Sequence, residues 1–210
     1  MKHDPGLSRR GFVLALALFP ALVSRRAQAA AGPEGLMRDD VLPDLWIGNP
    51  DAKISIIEYA SMTCSHCAAF HNGTFKELKT KYIDTGKARF TVREFPFDPL
   101  AMAGFMLARC QGPEKREAMI ELLFAQQTAW VNDKPLEGLT KLTRQAGMGE
   151  AAFKACLDDK KLYEDIGQIR DRGQQKFSVT STPTFFINGA KLQGYQILSE
   201  LETAMAPFLK

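Results

Sequence analysis

Cysteine is scarce in this chain of 210 residues, with four in all, and histidine (three) and tryptophan (two) are scarcer still. Four cysteines are too few for a small scaffold stapled by disulfides, and the chain is long enough to bury a core without one. Internal repeats and low-complexity tracts are missing, and with 24% charged and 45% hydrophobic residues the chain is neither fibrous, collagenous nor a disordered tail. Long apolar runs are missing too. The longest, Phe12–Val23, has 12 residues and is broken by Pro20. At about 1.5 Å of rise per residue it falls well short of about 30 Å of hydrocarbon, so a multi-span membrane protein is excluded. A usable surplus of charge is also lacking. Of the 27 basic residues five lie within residues 1–29, with only one of the 24 acids, and the remainder carries 22 basic against 23 acidic groups. That balance gives no nucleic-acid footprint, so no nucleic-acid partner is expected.

The basic residues of the first segment are informative. Lys2, Arg9 and Arg10 precede the apolar run, and Ala27-Gln28-Ala29 follows it as a small-residue cleavage site. Ser8-Arg9-Arg10-Gly11-Phe12-Val13 is similar to a twin-arginine export signal, and Arg25-Arg26 before the cleavage site agrees with that route. Residues 1–29 are therefore read as a signal peptide and residues 30–40 as a flexible start. The mature chain is expected in an oxidising, periplasmic compartment where thiols can be disulfides.

Periodicity organises the rest. Val41–Ile47 reads as a short extended piece, and Ile54–Tyr59 as a central strand covered on both faces. Cys64 to about Asp84 reads as one helix, and Phe90–Phe95 as a second strand. Helices follow at about 99–111, 114–128, 137–146, 150–157 and 160–177, then a strand at Thr184–Ile187, a turn at Asn188-Gly189, a returning strand at Lys191–Gln193 and a last helix over Ile197–Phe208. A parallel strand–helix–strand unit and a later hairpin can share one sheet. The fold class is thus α/β, a central mixed sheet flanked by helices, built from 41–98 and 178–210, with an all-helical domain, 99–177, inserted.

The chemistry concentrates in Cys64-Ser65-His66-Cys67. This spacing lets two sulfurs bridge across one helical turn. Placed after a buried strand and at a helix mouth, a Cys64 thiolate would meet unpaired N–H groups and the positive end of the helix dipole, lowering its pKa. His66 would stabilise it further if near enough to donate, and Cys67 would be the buried resolving thiol. Stabilising the thiolate stabilises the dithiol and makes the disulfide the stronger oxidant. Spacing alone also admits an inert short-loop disulfide, or a copper or zinc cluster of Cys64, Cys67, His71 and His66. A c-type haem site is excluded because Ala68 stands where it needs histidine.

A second signal is Ser181-Thr182-Pro183-Thr184-Phe185-Phe186-Ile187, where a proline opens a strand after a long connection. Such a proline is either trans or cis. Taken together, Glu58-Tyr59-Ala60-Ser61 ahead of Cys64-Ser65-His66-Cys67, with Thr182-Pro183-Thr184-Phe185, resembles the DsbA family of periplasmic thiol:disulfide oxidoreductases, over most of the mature chain. The resemblance implies a thioredoxin fold, a cis Pro183 facing the cysteine pair, and substrate peptide bound by the Thr182 backbone. It implies a protein-disulfide oxidoreductase needing no cofactor and no metal, whose partners are reduced or unfolded exported proteins and a membrane quinone reductase that reoxidises it, and which works as a monomer. In that family the dipeptide between the cysteines is more often Pro-His, and strong oxidases more often carry Val where Thr182 stands. The alternatives of a disulfide isomerase or reductase, and of an exported metal-binding module, therefore stay open here.

Seven further residues carry expectations. Glu58 lies inside an apolar strand, and the family comparison makes it a buried acid relaying protons to Cys67; otherwise it reaches a sheet edge or pairs with Arg93 or Lys53. Cys110 and Cys156 fall in separate helices of the insertion. In an oxidising compartment two such cysteines pair if near each other, and some α-proteobacterial members of the family carry a second disulfide in this domain; the alternative is two free core thiols. His71 is read as a surface or packing residue rather than a ligand, and Met102, Met106 and Met119 as helical core, the alternative being that some line an apolar substrate groove beside Cys64.

Overall fold

The computed structural model describes residues 35–37 and 41–209, together with Met1. The export signal, its cleavage site and most of the expected flexible start lie outside the described residues.

A five-stranded mixed sheet in the order β1-β3-β2-β4-β5 organises the molecule. Its centre is β2 (Ile54–Ala60), in which all seven residues are buried. β-Branched, nearly continuous apolar sequence suits a strand covered on both faces. Alternation divides its side chains: Ile54, Ile56 and Ala60 join the larger buried cluster, while Ile57 and Tyr59 join a smaller one with Phe95, Phe177 and Phe186. β2 pairs in parallel with β3 (Ala88–Glu94) and antiparallel with β4 (Thr184–Ile187). β5 (Ala190–Gln193) extends the hairpin, and β1 is only Ile47–Gly48, antiparallel to β3. β3 starts two residues before its expected first residue because Ala88 pairs with Ile54 in the parallel register.

The single helix expected from Cys64 to Asp84 is instead three pieces: α1 (Ser65–Asn72), α2 (Thr74–Leu78) and a π-helical turn over Lys79–Ile83. Asn72-Gly73 breaks the first, with the Gly73 N–H satisfied by the Ala69 and Phe70 carbonyls. Packing explains the break. Residues five apart on one straight helix point about 140° apart, yet Phe70 and Phe75 both lie against Phe90, at 6.5 and 4.8 Å between centroids. The Asp84 N–H reaches the Lys79 carbonyl at 2.8 Å, the wider spacing of a π-turn.

Between β3 and β4 run α3 (Pro99–Cys110), α4 (Pro113–Ala125), a 3-10 turn (Gln127–Ala129), α5 (Pro135–Gln145), α6 (Glu150–Leu157) and α7 (Lys160–Phe177). These helices share the larger cluster with one face of the sheet, and Met102, Met106 and Met119 are core. α7 reaches both faces: Ile166 joins the larger cluster, while further along Gly173 sits against Tyr59 on the other face, where a Cβ would meet the ring at 2.7 Å. α8 (Leu198–Met205) follows β5 and gives way to a 3-10 turn at Ala206–Phe208, around Pro207.

Two devices fasten the inserted helices. Fully buried Glu94, at the end of β3, receives Arg109 at 2.8 and 3.1 Å and Arg116 at 2.6 Å. Burial would raise its pKa, but the two guanidiniums hold it at about 2. A Cys110–Cys156 disulfide, with Cα atoms 6.1 Å apart, ties α3 to α6 across a separation of 46 residues. Loop-closure entropy makes such a bond worth about 3–4 kcal/mol. Paired Cys110→Ala and Cys156→Ala substitutions are expected to lower the denaturation midpoint accordingly while leaving the Cys64–Cys67 exchange rate within about twofold; chemical unfolding and single-turnover kinetics measure both.

Candidate active site

The register of β2 with β4 sets the site. Tyr59 lies opposite Thr184, so the chain entering β4 arrives beside the end of β2, where the polypeptide turns into α1. The Thr182–Pro183 peptide is cis, and the Thr182 carbonyl lies 3.4 Å from Cys64 Sγ. Cys64 caps α1, and the Cys67 main-chain N–H donates to its Sγ at 3.4 Å. A capping sulfur receives the helix dipole and the unpaired N–H groups together.

Electrostatics separates the two thiols. The Cys64 pKa is lowered to about 5, chiefly because the Cys67 thiol donates to its sulfur. Burial opposes this, whereas the Thr182 side chain and the Cys67 and His66 main-chain N–H groups reinforce it. The Thr182 hydroxyl is buried without a hydrogen-bond partner. Burial pushes Cys67 well up, and donation to Cys64 and the nearby Glu58 carboxylate add to that. Cys64 is half-buried and Cys67 wholly buried, both as free thiols. His66 acts on the sulfur through its main-chain N–H; its imidazole is exposed, which corrects the expectation of direct side-chain donation.

Glu58 is fully buried, on the sheet face that carries α1 and α4. Neither Arg93 nor Lys53 is its partner here. Its Oε2 meets His71 Nε2 at 2.8 Å, and His71 Nδ1 meets Glu121 Oε1, from α4, at 2.7 Å. Arg93 instead binds Asp44 at 2.8 Å and the Tyr59 hydroxyl at 3.1 Å. Burial would lower the His71 pKa, but the Glu58 charge and hydrogen bonds to both carboxylates raise it to about 9. Burial raises Glu58 above the ordinary carboxylate range, with His71 opposing. His71 is thus a buried residue with both ring nitrogens engaged, not a surface one. Among the described residues no group of three or more His, Cys, Asp or Glu side chains is arranged to hold a metal ion.

Two contacts lay outside the sequence reading. Gln127 Nε2 donates to the Met62 and Cys64 carbonyls at 2.8 and 3.1 Å, so the insertion holds the loop leading into the nucleophile. The Thr63 hydroxyl donates to Asp98 at 2.6 Å, and Asp98 in turn caps α3. Only the second left a trace, as Asp98-Pro99 is a helix-start pattern.

With this geometry the comparisons are consistent. The family model described as Thioredoxin matches residues 40–206. A crystal structure of Wolbachia pipientis alpha-DsbA1 superposes with a TM-score of 0.74 at 30% identity, covering 79% of this chain and 90% of that one. A Rickettsia bellii protein provisionally named a protein-disulfide oxidoreductase is 36% identical over 158 residues, 74% of this chain but 61% of its own length. Disulfide bond formation protein D of Bacillus subtilis is 23% identical over 172 residues, 78% of this chain and 76% of that protein. The chain thus spans about three-fifths of the length of the Rickettsia relative. It belongs to the DsbA family of thioredoxin-like proteins.

Titration tests the site directly. Thiolate absorbance of the reduced protein is expected to fall with a midpoint near pH 5 and to be lost in Cys64→Ser. A depressed folded-state pKa stabilises the reduced fold fully above the unfolded value of about 9, and that stability declines as pH falls towards about 5, where it is gone. The margin in denaturation midpoint of the reduced over the oxidised protein is therefore expected to narrow from pH 8 to pH 5.

Proposed function

We propose that this protein is a dithiol oxidase that donates a Cys64–Cys67 disulfide to reduced proteins exported to the periplasm. The observation that carries the reading is the unequal pair: Cys64 Sγ held as an anion at the mouth of α1, beside a cis proline, with Cys67 buried and neutral behind it. In the oxidised enzyme a substrate thiolate attacks the accessible Cys64 Sγ. The Cys64–Cys67 bond breaks, Cys67 leaves as a thiolate and takes a proton. A second substrate thiolate then attacks the substrate sulfur of the mixed disulfide, expelling Cys64 as the thiolate it prefers to be. Two electrons have passed from substrate to enzyme. The low pKa of the leaving Cys64 drives both the last step and the oxidising strength.

Thr182 and Pro183 lie where an extended substrate chain would pass the sulfur, with the Thr182 backbone available to pair with it. Glu58 is the proton partner of Cys67. Reoxidation requires an electron acceptor, and a membrane quinone reductase is the partner the family suggests. The twin-arginine-like leader supports export, and no helix among the described residues is long and apolar enough to cross a membrane.

Equilibration with glutathione buffers decides the direction. An oxidase is expected to show a potential well above the about −270 mV of thioredoxin, and to oxidise a reduced dithiol peptide in an assay that Cys64→Ser abolishes. A potential near thioredoxin's would make the protein a reductase. Tight stoichiometric metal binding by the reduced protein without peptide oxidation would make it a metal-binding module.

A further inference from the structure

We propose that Glu58, His71 and Glu121 form the route by which the buried Cys67 exchanges its proton with solvent, so that the exit of the redox site runs through helix α4 of the insertion. The proposal rests on the thiol–disulfide reading above and on Glu58 as the proton partner of Cys67, and adds the path beyond Glu58. Cys67 is wholly buried and cannot trade a proton with water directly. Glu58 is fully buried as well, and its second oxygen, Oε1, has no hydrogen-bond partner, which leaves a vacant acceptor beside a thiol whose acidity it perturbs. Its Oε2 is bound to His71 Nε2 at 2.8 Å, and the opposite ring nitrogen is bound to Glu121 at 2.7 Å. Only the last of these three reaches solvent: the Glu121 side chain is 32% exposed, against 2% for His71. Glu121 and His71 also border a small cleft of about 20 Å³, room for one water. Phe124, one turn further along α4, stacks on the imidazole at 4.5 Å and holds the ring in line.

The proton count closes without turning the ring. When the dithiol is oxidised, Cys67 Sγ–H passes its proton to Glu58 Oε1. His71 gives its Nδ1 proton to Glu121 Oε1, and Glu121 releases it to water. The net charge of the cluster is unchanged, and the Nε2–H stays where it is. When the disulfide is reduced each transfer runs backwards, so the two half-reactions reset one another. Other charged groups facing the cluster are Cys64 from the active-site turn, Lys79 and Asp84 from the π-turn, and Arg116 and Glu117 from α4.

The test is single-turnover oxidation of the reduced full-length protein by oxidised glutathione, trapping the Cys64–glutathione mixed disulfide with acid. Resolution of that species needs Cys67 to lose its proton. Glu121→Gln keeps an acceptor for His71 but no proton-accepting carboxylate, and is expected to slow resolution by about tenfold or more, so that the mixed disulfide accumulates. Glu121→Ala is expected to be equally slow and to recover as formate is added, a response a merely structural defect would not give. Thiolate titration of Cys64 is expected to be unaltered in both. Wild-type resolution rates in both variants, or a slow Glu121→Ala that ignores formate, would overturn the exit route. Glu58→Gln separates the layers. If it alone is slow, the relay through Glu58 stands and the exit does not; if it too is unaltered, the Glu58 reading fails as well, with the Cys64–Cys67 exchange still intact.

Discussion

A sulfur anion at the mouth of a helix needs donors that are in place before the charge arrives. At Cys64 they are the first N–H groups of α1, which lack intrahelical partners by geometry, and the thiol of Cys67 one turn on. Because Cys64 is only half-buried, desolvation subtracts less than these donors add. Every larger feature serves that placement. The buried β2 strand fixes where α1 begins, the Thr184–Tyr59 pairing brings Pro183 to the same end of the sheet, and Gln127 ties down the carbonyls on either side of the turn. A strand slipped by one residue would turn Glu58 and Ile56 to the opposite face and separate the thiol from both its neighbours.

The inserted helices stand on two buried carboxylates of the sheet. Glu94 at the end of β3 is met by Arg109 and Arg116, and Glu58 in β2 by His71 and, through it, Glu121. The two sites differ in kind. Two guanidiniums against one carboxylate make a permanent ion cluster, with Glu94 held charged far below any physiological pH. One imidazole between two carboxylates leaves protons that can move, since burial lifts Glu58 while the carboxylates lift His71. The first fastens the insertion with fixed charge, and the second links it to the active-site helix through an ionisable ring.

The fold class was legible because its signals are local. The apolar β2 run, the Cys-x-x-Cys at a strand–helix junction and the Asn188-Gly189 turn each follow from short-range preferences. Most helix boundaries in the insertion were marked by proline or glycine. The break in the first helix was missed because Phe70, Phe75, Leu78 and Tyr82 fit a helical repeat well enough, and only the need of Phe70 and Phe75 to share Phe90 breaks it. Glu58 stood out as a carboxylate in an apolar strand. Its partners did not, because His71 and Glu121 lie 13 and 63 residues away and meet it only once α4 packs on α1. His66 misled in the opposite direction: a basic ring between two cysteines invites a charge-pair reading, yet the backbone at that position is what faces the sulfur.

The same asymmetry that makes Cys64 a good leaving group makes Cys67 a difficult one. The Cys67 thiol proton helps hold the negative charge at the helix mouth, and burial together with that bond to Cys64 makes the same proton harder to remove when the disulfide must be remade. So unequal a pair therefore creates a second requirement, a base within reach of a sulfur that water cannot touch. On the proposed reading the β2 carboxylate would meet it, but a buried carboxylate is costly and must itself be kept ionisable. His71 supplies the compensating charge from the helix that Cys64 opens. The electrostatics at one end of α1 and the proposed proton route near its other end are thus two consequences of about two turns of helix, joined by the packing of α1 on β2.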